Sequence, residues 1–213
     1  MNKIGVALLA HGDIHIDETI SLLSSLNEKL KEQVEYYLAT DNVEKFKNFN
    51  INLISLNEPF NYNLKRIPIR ESMKNHEITI FIDSDTEIVN DVNFEKLLTF
   101  EDGLHAFIFK DYPKVYPYYG EVQKYSGVEE ITYIFEYLFI LKVKDEYKRK
   151  KFIENWDRIY QETKPTHIHS KVQVGSHVGL IIGSSCEISD IKIIDPIYSS
   201  KLEFFHSFKH LFI

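Results

Sequence analysis

The sequence has little of what marks secreted or membrane-spanning proteins. Its one cysteine, Cys186, excludes a disulfide within the chain. The N-terminus has no basic segment followed by a long apolar stretch, and no uninterrupted apolar run approaches the ~18 residues of a membrane span. By elimination, these absences predict a cytoplasmic protein.

Positive charge is also scarce. The chain has 25 Lys and Arg against 32 Asp and Glu, and its net charge of −7 argues against a protein that binds nucleic acid through bulk electrostatics. What the chain does have is the composition of a folded globular protein, with 44% apolar and 27% charged residues. A length of 213 residues fits one domain with a sizeable core.

The first half of the chain alternates strands and helices. Apolar runs at 3–10 and 78–82 predict buried strands, and shorter strands are expected at 34–39 and 51–56. Between the first two strands in the chain we expect a helix capped by Asp17. Strands separated by helices favour right-handed βαβ units. We therefore predict an α/β fold with a mostly parallel central sheet flanked by helices.

The second half is less regular. Residues 111–119 contain two prolines and four tyrosines and predict an aromatic loop. The apolar stretch 130–143 predicts a buried strand pair or one long strand, 145–163 a helix, and 188–197 a late strand. The tail, 202–213, puts its phenylalanines on one helical stripe, a pattern compatible with packing into the core, onto a partner or onto a bilayer surface.

Two acids, Asp83 and Asp85, follow the apolar run at 78–82. Because strand side chains alternate, we expect both to point the same way at the strand's end, where open α/β sheets bind ligands. Two carboxylates held in this way suit a hard divalent cation such as Mn²⁺ or Mg²⁺.

An Asp-x-Asp pair after a strand has two familiar chemical uses. In phosphatases of the haloacid dehalogenase type, the first Asp is a nucleophile and the second a general acid. That pair usually follows the first strand, and Thr or Val stands where this chain has Glu87. In nucleotide-sugar glycosyltransferases, the pair follows a strand deeper in the chain and holds a divalent ion against the donor's diphosphate. Position favours the second use.

The segment from Asn63 to Val89, NLKRIPIRESMKNHEITIFIDSDTEIV, resembles a block of GT-A fold glycosyltransferases of the glycogenin-like and lipopolysaccharide galactosyltransferase-like families. In those enzymes an Arg and an aliphatic-Pro pair precede the strand that ends in Asp-x-Asp. Residues 39–42, ATDN, are similar to the end of their second strand. The resemblance covers roughly residues 3–110. It implies one GT-A-like domain, with a nucleotide-binding half at about 1–110 and an acceptor-side half at about 111–213.

The resemblance also implies a set of site residues. Asp83 and Asp85 are the expected metal ligands, and Asp85 is the firmer of the two. Arg66, with Arg70 or Lys65 as a substitute, is expected to offset the diphosphate charge. A solvated helix face is the alternative explanation of these cations, equal to the functional one for Lys65 and weaker for Arg66. The other implied donor-binding residues are Ala10, His11, Asp41 and Ser84.

A histidine near the C-terminus completes the metal site in the resembling families. Here the candidate is His206, although the family's glycine is missing and the spacing to the following lysine is shorter. The candidates for catalysis are Glu136 and His177, as a base for the acceptor hydroxyl or as a group that stabilises the sugar cation. An exposed strand edge is the plainer explanation of Glu136, and His177 stands where the family often has an acid.

Other histidines suggest further metal sites. Two groups have suitable ligand chemistry: His11 and His15 with Asp13 and Asp17, and a zinc-like set of His167, His169 and His177. A loop followed by a capped helix explains the first group more simply, and solvated histidines explain the second.

The sequence thus predicts a metal-dependent glycosyltransferase that moves a sugar from a nucleoside diphosphate sugar, most simply a UDP-sugar. The acceptor is a glycan, lipid or protein that the sequence does not specify, and the tail offers a peripheral membrane contact. Two alternatives stay open. One is a non-catalytic nucleotide- or sugar-binding relative, and the other is a metal-dependent phosphatase that uses Asp83 and Asp85.

Overall fold

The computed structural model describes residues 4–29, 34–109, 117–163, 178–198 and 201–210. The described strands are β1 Ile4–Ala10, β2 Glu35–Thr40, β3 Asn52–Ser55, β4 Ile78–Ile82, β5 Thr86–Ile88, β6 Gly103–Phe109, β7 Tyr133–Lys142, β8 Ile193–Ile194 and β9 Phe208–His210. The first four predicted strands are therefore confirmed, and the stretch 130–143 contains one long strand rather than a pair.

The described α-helices are α1 Asp13–Lys29, α2 Arg66–Asn75, α3 Pro117–Ser126, α4 Glu146–Thr163, α5 Val178–Ile188 and α6 Leu202–Phe205. Short 3₁₀ helices occupy Val43–Phe46, Tyr62–Lys65, Phe94–Thr99 and Pro196–Tyr198. Among the residues described, none of these helices is both long and apolar enough to cross a membrane.

Seven of the described strands form one sheet in the order β3-β2-β1-β4-β7-β6-β8. The pairs β3-β2, β2-β1, β1-β4 and β6-β8 are parallel, and β7 runs antiparallel to both of its neighbours. The predicted mostly parallel sheet is confirmed. Strand order reverses between β1 and β4, and a crevice at the carboxyl ends of the strands is expected at such a reversal.

The sheet has an apolar layer on each face, which explains the unbroken apolar runs of its central strands. Val6 and Leu8 of β1 pack on the face covered by α1, whereas Ala7 and Leu9 pack on the opposite face, covered by α2, α4 and α5. All seven residues of β1 and all five of β4 are buried. Because both strands are buried along their whole length, the positions of their ends are fixed. The residues that follow the strands are therefore held in place as well.

Helix α5 approaches β7 closely because Gly179 and Gly183 face that strand. A side chain at Gly179 would meet the carbonyl oxygen of Ile134, and one at Gly183 would meet that of Thr132. Helix and strand are therefore in backbone contact. This contact supports the start of β7, two residues before Glu136.

The tail differs from the predicted helix. It forms one helical turn, α6, and then the strand β9, which pairs antiparallel with β5 in a separate two-stranded sheet. Phe204, Phe205 and Phe208 are buried in the core beneath it. The sequence allowed this stripe to pack into the core, onto a partner or onto a bilayer surface, and these three phenylalanines pack into the core. Residues 211–213 lie outside the described part of the chain.

Three further boundaries differ from prediction. Helix α1 begins at Asp13, so Asp17 lies inside the helix and does not cap it. The predicted loop 111–119 overlaps the start of α3, because Pro117 opens that helix; residues 111–116 are outside the described chain. The predicted late strand 188–197 is reduced to two residues, because α5 extends to Ile188, a turn with Asp190 at a φ of +54° follows it, and a 3₁₀ helix begins at Pro196.

Candidate functional site

Polar residues gather where strand order reverses. Ala10 is the last residue of β1 and is buried, and His11 follows it. Asp41 follows β2, and Asp83 follows β4. Because these strands are parallel, their carboxyl ends lie at the same edge of the sheet. The structure thus brings Ala10, His11, Asp41 and Asp83 to one edge of the sheet, while their binding roles stay predictions.

Residues Asp83, Ser84, Asp85 and Thr86 form a tight turn between β4 and β5, here called the acidic turn. The backbone N–H of Thr86 donates to the carbonyl of Asp83 at 3.2 Å, and the N–H of Asp83 donates to the carbonyl of Tyr137 at 2.8 Å. The two acids thus lie just beyond the strand. Turn geometry, rather than strand alternation, decides where their carboxylates point.

Lys65 provides the positive charge of the site. Its Nζ lies 2.7 Å from Oδ2 of Asp83 and 3.4 Å from the carbonyl oxygen of Glu136, and only 4% of its side chain is exposed. Burial alone would lower the pKa of Lys65. The negative charges of Asp83, Glu136 and Asp85, with the hydrogen bond to Asp83, outweigh burial and raise the pKa above its ordinary value. The ammonium is therefore charged at neutral pH.

Glu136 lies beside the acidic turn because β7 is antiparallel to β4, with Leu138 opposite Ile82. Burial raises the pKa of Glu136 from its ordinary 4.5 to about 7; the positive charge of Lys65 opposes this rise, and the negative charge of Asp83 adds to it. The hydroxyl of Tyr133 donates to Glu136 Oε2 at 3.3 Å. Glu136 is thus a partly buried carboxyl that can take up or release a proton near neutral pH.

The two predicted arginines contact helix α4. Arg66 Nε donates to Asp157 Oδ1 at 2.6 Å, and its guanidinium lies over the ring of Tyr160, 5.0 Å from the ring centre. Arg70 NH1 is 3.7 Å from Asp157 Oδ2. These contacts join α2 to α4. The role of either arginine in offsetting diphosphate charge stays a prediction, whereas Lys65 is in contact with Asp83.

His11 and Asp41 close the β1 side of the site. Asp41 accepts hydrogen bonds from the backbone N–H of Gly12 at 3.1 and 3.2 Å, and His11 Nδ1 lies 3.5 Å from Asp41 Oδ2. The other ring nitrogen of His11 is 2.9 Å from the carbonyl of Glu58. Gly12 has a φ of +81°, a conformation that favours glycine. This turn brings the start of α1 against Asp41.

Two exposed aromatic residues stand on the same side of the site, close to His11 and His15. Phe60 and Tyr62 are 38% and 49% exposed, and their ring centres are 5.1 Å apart. Phe60 lies 5.6 Å from the ring of His11 and stacks on His15 at 5.7 Å. Together they form a solvent-facing aromatic wall. Sequence reasoning missed this wall, although both aromatics stand in the polar segment that precedes α2.

A second missed feature joins helix α1 to the acidic turn. The hydroxyl of Ser84 donates to Glu18 Oε2 at 3.0 Å, and His15 Nδ1 lies 3.1 Å from the same oxygen. Ser84 was predicted to bind the donor, but its side chain faces α1. His15 and Glu18 are three residues apart and hence share a helix face. This three-residue spacing was the sequence signal that could have indicated the contact between His15 and Glu18.

The structure does not assemble the predicted three-ligand metal site. In the part of the chain that the structure describes, no three His, Cys, Asp or Glu side chains lie close enough to hold a metal ion. The same finding covers the proposed set of His11, His15, Asp13 and Asp17. The simpler loop-and-helix explanation accounts for that group, apart from the capping role of Asp17.

His206 lies away from the acidic turn. Register pairs Thr86 with His210 and Ile88 with Phe208. Two residue steps, roughly 7 Å of extended chain, therefore lie between Thr86 at the end of the acidic turn and Ile88, which pairs with the end of β9 nearest His206. His167, His169 and His177 fall outside the described residues, so the zinc set and the catalytic role of His177 stay sequence predictions.

Comparison with known proteins identifies the fold. No protein-family model matches the sequence, and no curated protein sequence matches it. The galactosyltransferase LgtC in complex with donor and acceptor sugar analogues aligns with a TM-score of 0.50 at 12% identity, over 75% of this chain and 65% of that one. An active-site mutant of LgtC aligns with a TM-score of 0.53 at 10% identity, over 90% and 72%.

A third solved structure extends the likeness to the whole chain. The bifunctional glycosyltransferase WbbM, in its apo form, aligns with a TM-score of 0.58 at 12% identity, over all of this chain and 46% of WbbM. The chain thus spans less than two thirds of the first LgtC structure and under half of WbbM. At such low identity these likenesses show the fold alone. The chain has the GT-A type of fold found in these glycosyltransferases.

Proposed function

We propose that this protein is a glycosyltransferase that moves a sugar from a nucleoside diphosphate sugar, most simply a UDP-sugar, to an acceptor. The observation that carries the proposal is the acidic turn. It lies at the strand-order reversal of a GT-A type sheet, in contact with a buried, charged lysine. A diphosphate requires positive charge at this edge, and Lys65 and a divalent cation are the two sources.

The residues of the acidic turn suit a hard divalent cation. Asp83 and Asp85 offer carboxylate oxygens, the ligands that Mn²⁺ and Mg²⁺ prefer. Mg²⁺ is commonly held by one or two carboxylates together with substrate phosphates and water, so a third protein ligand is not required. When bound, such an ion supplies charge neutralisation for the departing nucleoside diphosphate.

Lys65 would share in binding the diphosphate. Its ammonium already makes a charge-assisted hydrogen bond to Asp83, and burial keeps that charge poorly screened by water. Phosphate oxygens entering the crevice would find a donor held in place by Tyr62 and Phe81, whose ring centres lie 5.8 and 5.1 Å from Nζ. We assign this role to Lys65 ahead of Arg66 and Arg70.

Glu136 is the catalytic candidate among the described residues. Its pKa of about 7 suits a group that accepts a proton from an acceptor hydroxyl in an inverting reaction. In a retaining reaction the same carboxylate would stabilise the developing sugar cation. The anomeric configuration of the product decides between these two roles.

The nucleoside would lie on the β1 side of the site. Phe60 and Tyr62 are partly exposed and would offer aromatic surface on which a base can stack. Asp41 offers carboxylate oxygens to ribose hydroxyls once its contact with Gly12 is exchanged or shared. LgtC was solved with donor and acceptor sugar analogues, which supports looking for both kinds of ligand here.

A donor-hydrolysis assay tests the proposal. Purified protein is incubated with UDP-glucose, UDP-galactose and UDP-N-acetylglucosamine, with Mn²⁺ or with EDTA, and released UDP is measured. We expect slow hydrolysis of at least one donor in Mn²⁺ and a loss of about 100-fold in the Glu136→Gln variant. No release above the protein-free rate from any donor, in a protein that still binds UDP, would contradict catalysis.

That outcome would favour the second candidate, a non-catalytic nucleotide- or sugar-binding protein. The phosphatase alternative is not supported. Its acid pair usually follows a first strand, and here the acids follow the fourth strand in the chain, β4.

A further inference from the structure

Three side-chain atoms link helix α1 to the middle residue of the acidic turn. Glu18 Oε2 lies 3.0 Å from Ser84 Oγ and 3.1 Å from His15 Nδ1, and the last two atoms are 3.2 Å apart. The three atoms thus form a closed triangle, here called the Glu18 cluster. Ser84 is only 8% exposed, and the Glu18 side chain only 22%.

The donors and acceptors of the Glu18 cluster can be assigned. A carboxylate accepts hydrogen bonds and does not donate them, so Ser84 uses its one hydroxyl proton on Glu18. The Ser84 oxygen can then only accept from His15. His15 Nδ1 must therefore carry a proton, which it shares between Glu18 and Ser84. This assignment leaves Nε2 as the nitrogen that stands outside the triangle.

The acidic turn is consequently held from three directions. The carbonyl of Tyr137 holds the backbone of Asp83, and Lys65 holds the carboxylate of Asp83. Glu18 holds Ser84, which lies between the two acids. Because Ser84 lies between the two acids in the chain, its hydrogen bond to Glu18 joins the acidic turn to a residue 66 positions away in sequence.

We propose that Glu18 is a positioning residue, which fixes the acidic turn through Ser84 and holds His15 in a single proton arrangement. This inference rests on the proposed function in one respect: the ligand whose site is positioned is a nucleoside diphosphate with its divalent cation. The positioning itself is a property of the ligand-free protein. The two parts can therefore be tested separately.

The first test measures the ligand-free protein by amide hydrogen exchange. The N–H of Thr86 closes the acidic turn on Asp83, so its exchange reports the turn's opening. In Glu18→Ala and in Ser84→Ala we expect roughly tenfold faster exchange at Thr86. Asp17→Ala is the matched control: it removes an exposed acid one residue away on the same helix and should leave this exchange unchanged. Unchanged Thr86 exchange in Glu18→Ala would overturn the inference.

Nitrogen-15 NMR of the His15 ring gives an independent signature. In the wild-type protein we expect the proton on Nδ1, as the hydrogen-bond assignment requires. Glu18→Ala should release the ring, and neutral His15 should then change to the Nε2–H form that free histidine prefers in water. A wild-type ring that is neutral and protonated only on Nε2 would contradict the assignment.

The second test measures UDP binding in the presence of Mn²⁺. Glu18→Ala should weaken UDP about five- to tenfold, and Glu18→Gln should recover most of the loss because its amide oxygen still accepts from Ser84. The Glu18→Ala/Ser84→Ala double variant should bind no more weakly than either single variant, since both remove one linkage. Asp17→Ala should bind as the wild type does.

The outcomes separate the two proposals. If wild-type protein binds no UDP in Mn²⁺, the proposed function fails, while hydrogen exchange and NMR still decide whether Glu18 holds the turn. If wild type binds UDP but Glu18→Ala binds it equally well, the claim that Glu18 positions the ligand site is overturned, and hydrogen exchange alone decides whether Glu18 holds the ligand-free turn. If Glu18→Gln binds as weakly as Glu18→Ala, loss of charge rather than of the Ser84 contact is responsible, and the positioning role is again overturned.

Discussion

Two buried lysines stand at opposite ends of the central sheet and are satisfied in different ways. Lys65, beside the carboxyl end of β4, contacts the carboxylate of Asp83, and its pKa is raised. Lys142 is paired with Ile78 at the other end of β4. Its ammonium donates to the carbonyls of Leu97, Leu98 and Phe100 at 3.3, 2.7 and 2.6 Å, and burial lowers its pKa.

The difference teaches which end of the sheet has the electrostatics of a ligand site. Carbonyl oxygens at the end of a 3₁₀ helix are neutral acceptors, and within the described chain only that of Leu97 among these three also accepts from a backbone N–H, that of Phe100, so Lys142 completes a structural element. Lys65 instead belongs to a group of charges that includes Asp83, Asp85 and Glu136. This group contains more charged side chains than the packing of the fold requires. A charged ligand can replace one of the contacts between them.

The largest expected effect is the loss of stability when Lys142 is replaced. Lys142→Met removes the ammonium donor from three carbonyls, of which only that of Leu97 keeps a backbone donor among the residues described, and should lower the free energy of unfolding by about 2–3 kcal/mol. Lys144→Met, two residues further on at an exposed position, should change it by less than about 0.5 kcal/mol. Chemical denaturation followed by circular dichroism measures both. Equal stability of the two variants would remove the structural role of Lys142.

A smaller effect, on binding, is expected at Lys65. Lys65→Met should weaken UDP in Mn²⁺ by roughly 30-fold, about 2 kcal/mol, because a charge-assisted contact to the diphosphate is lost. Lys74→Met, on the exposed side of α2, should leave the affinity within about twofold. Isothermal titration calorimetry measures the pair. If folded Lys142→Met protein loses as much affinity for UDP as Lys65→Met does, the distinction between the two lysines is wrong.

The smallest effect is the pH dependence of stability that Glu136 confers. Folding raises the pKa of this acid from 4.5 to about 7, so the folded protein keeps the proton where the unfolded chain has lost it. The cost is absent below pH 4.5, grows as pH rises to about 7, and is complete above that.

Glu136→Gln removes this cost. We expect the variant to be more stable than wild type by about 1 kcal/mol at pH 8, a figure reduced for the partial exposure of the side chain. The gain should vanish at pH 4. Denaturation curves in EDTA at both pH values test this. A stabilisation of equal size at pH 4 and pH 8 would show that the pKa of Glu136 is not its cause.

Much of the fold could be predicted from sequence because the sheet is buried on both faces. The runs at 3–10 and 78–82 are almost entirely apolar, with Thr79 as the one polar residue inside either strand, and a sheet covered on both faces requires such runs. The tail could not be predicted in the same way. Phe204, Phe205 and Phe208 fit a helical stripe, but pairing of β9 with β5 decides the structure, and that contact joins segments more than 100 residues apart.

The site was predictable where chemistry follows directly from a strand end. Asp83 and Asp85 are visible because they interrupt an apolar run, and Lys65 lies in the basic window before it. The partner of each cation was not predictable: adjacent positions on one helical segment send Lys65 to Asp83 and Arg66 to Asp157. Glu18 and Phe60 were missed because their contacts with Ser84 and His15 are tertiary.

Calorimetric titration with UDP, in Mn²⁺ and in EDTA, tests the central claim most directly. We predict binding in Mn²⁺ that is at least about tenfold weaker in EDTA, and an Asp85→Asn variant that shows the weak binding in both buffers because a carboxylate ligand is lost. Equal, negligible heats for wild type in both buffers would contradict the account. So would an Asp85→Asn variant in which Mn²⁺ still strengthens UDP binding to the wild-type extent.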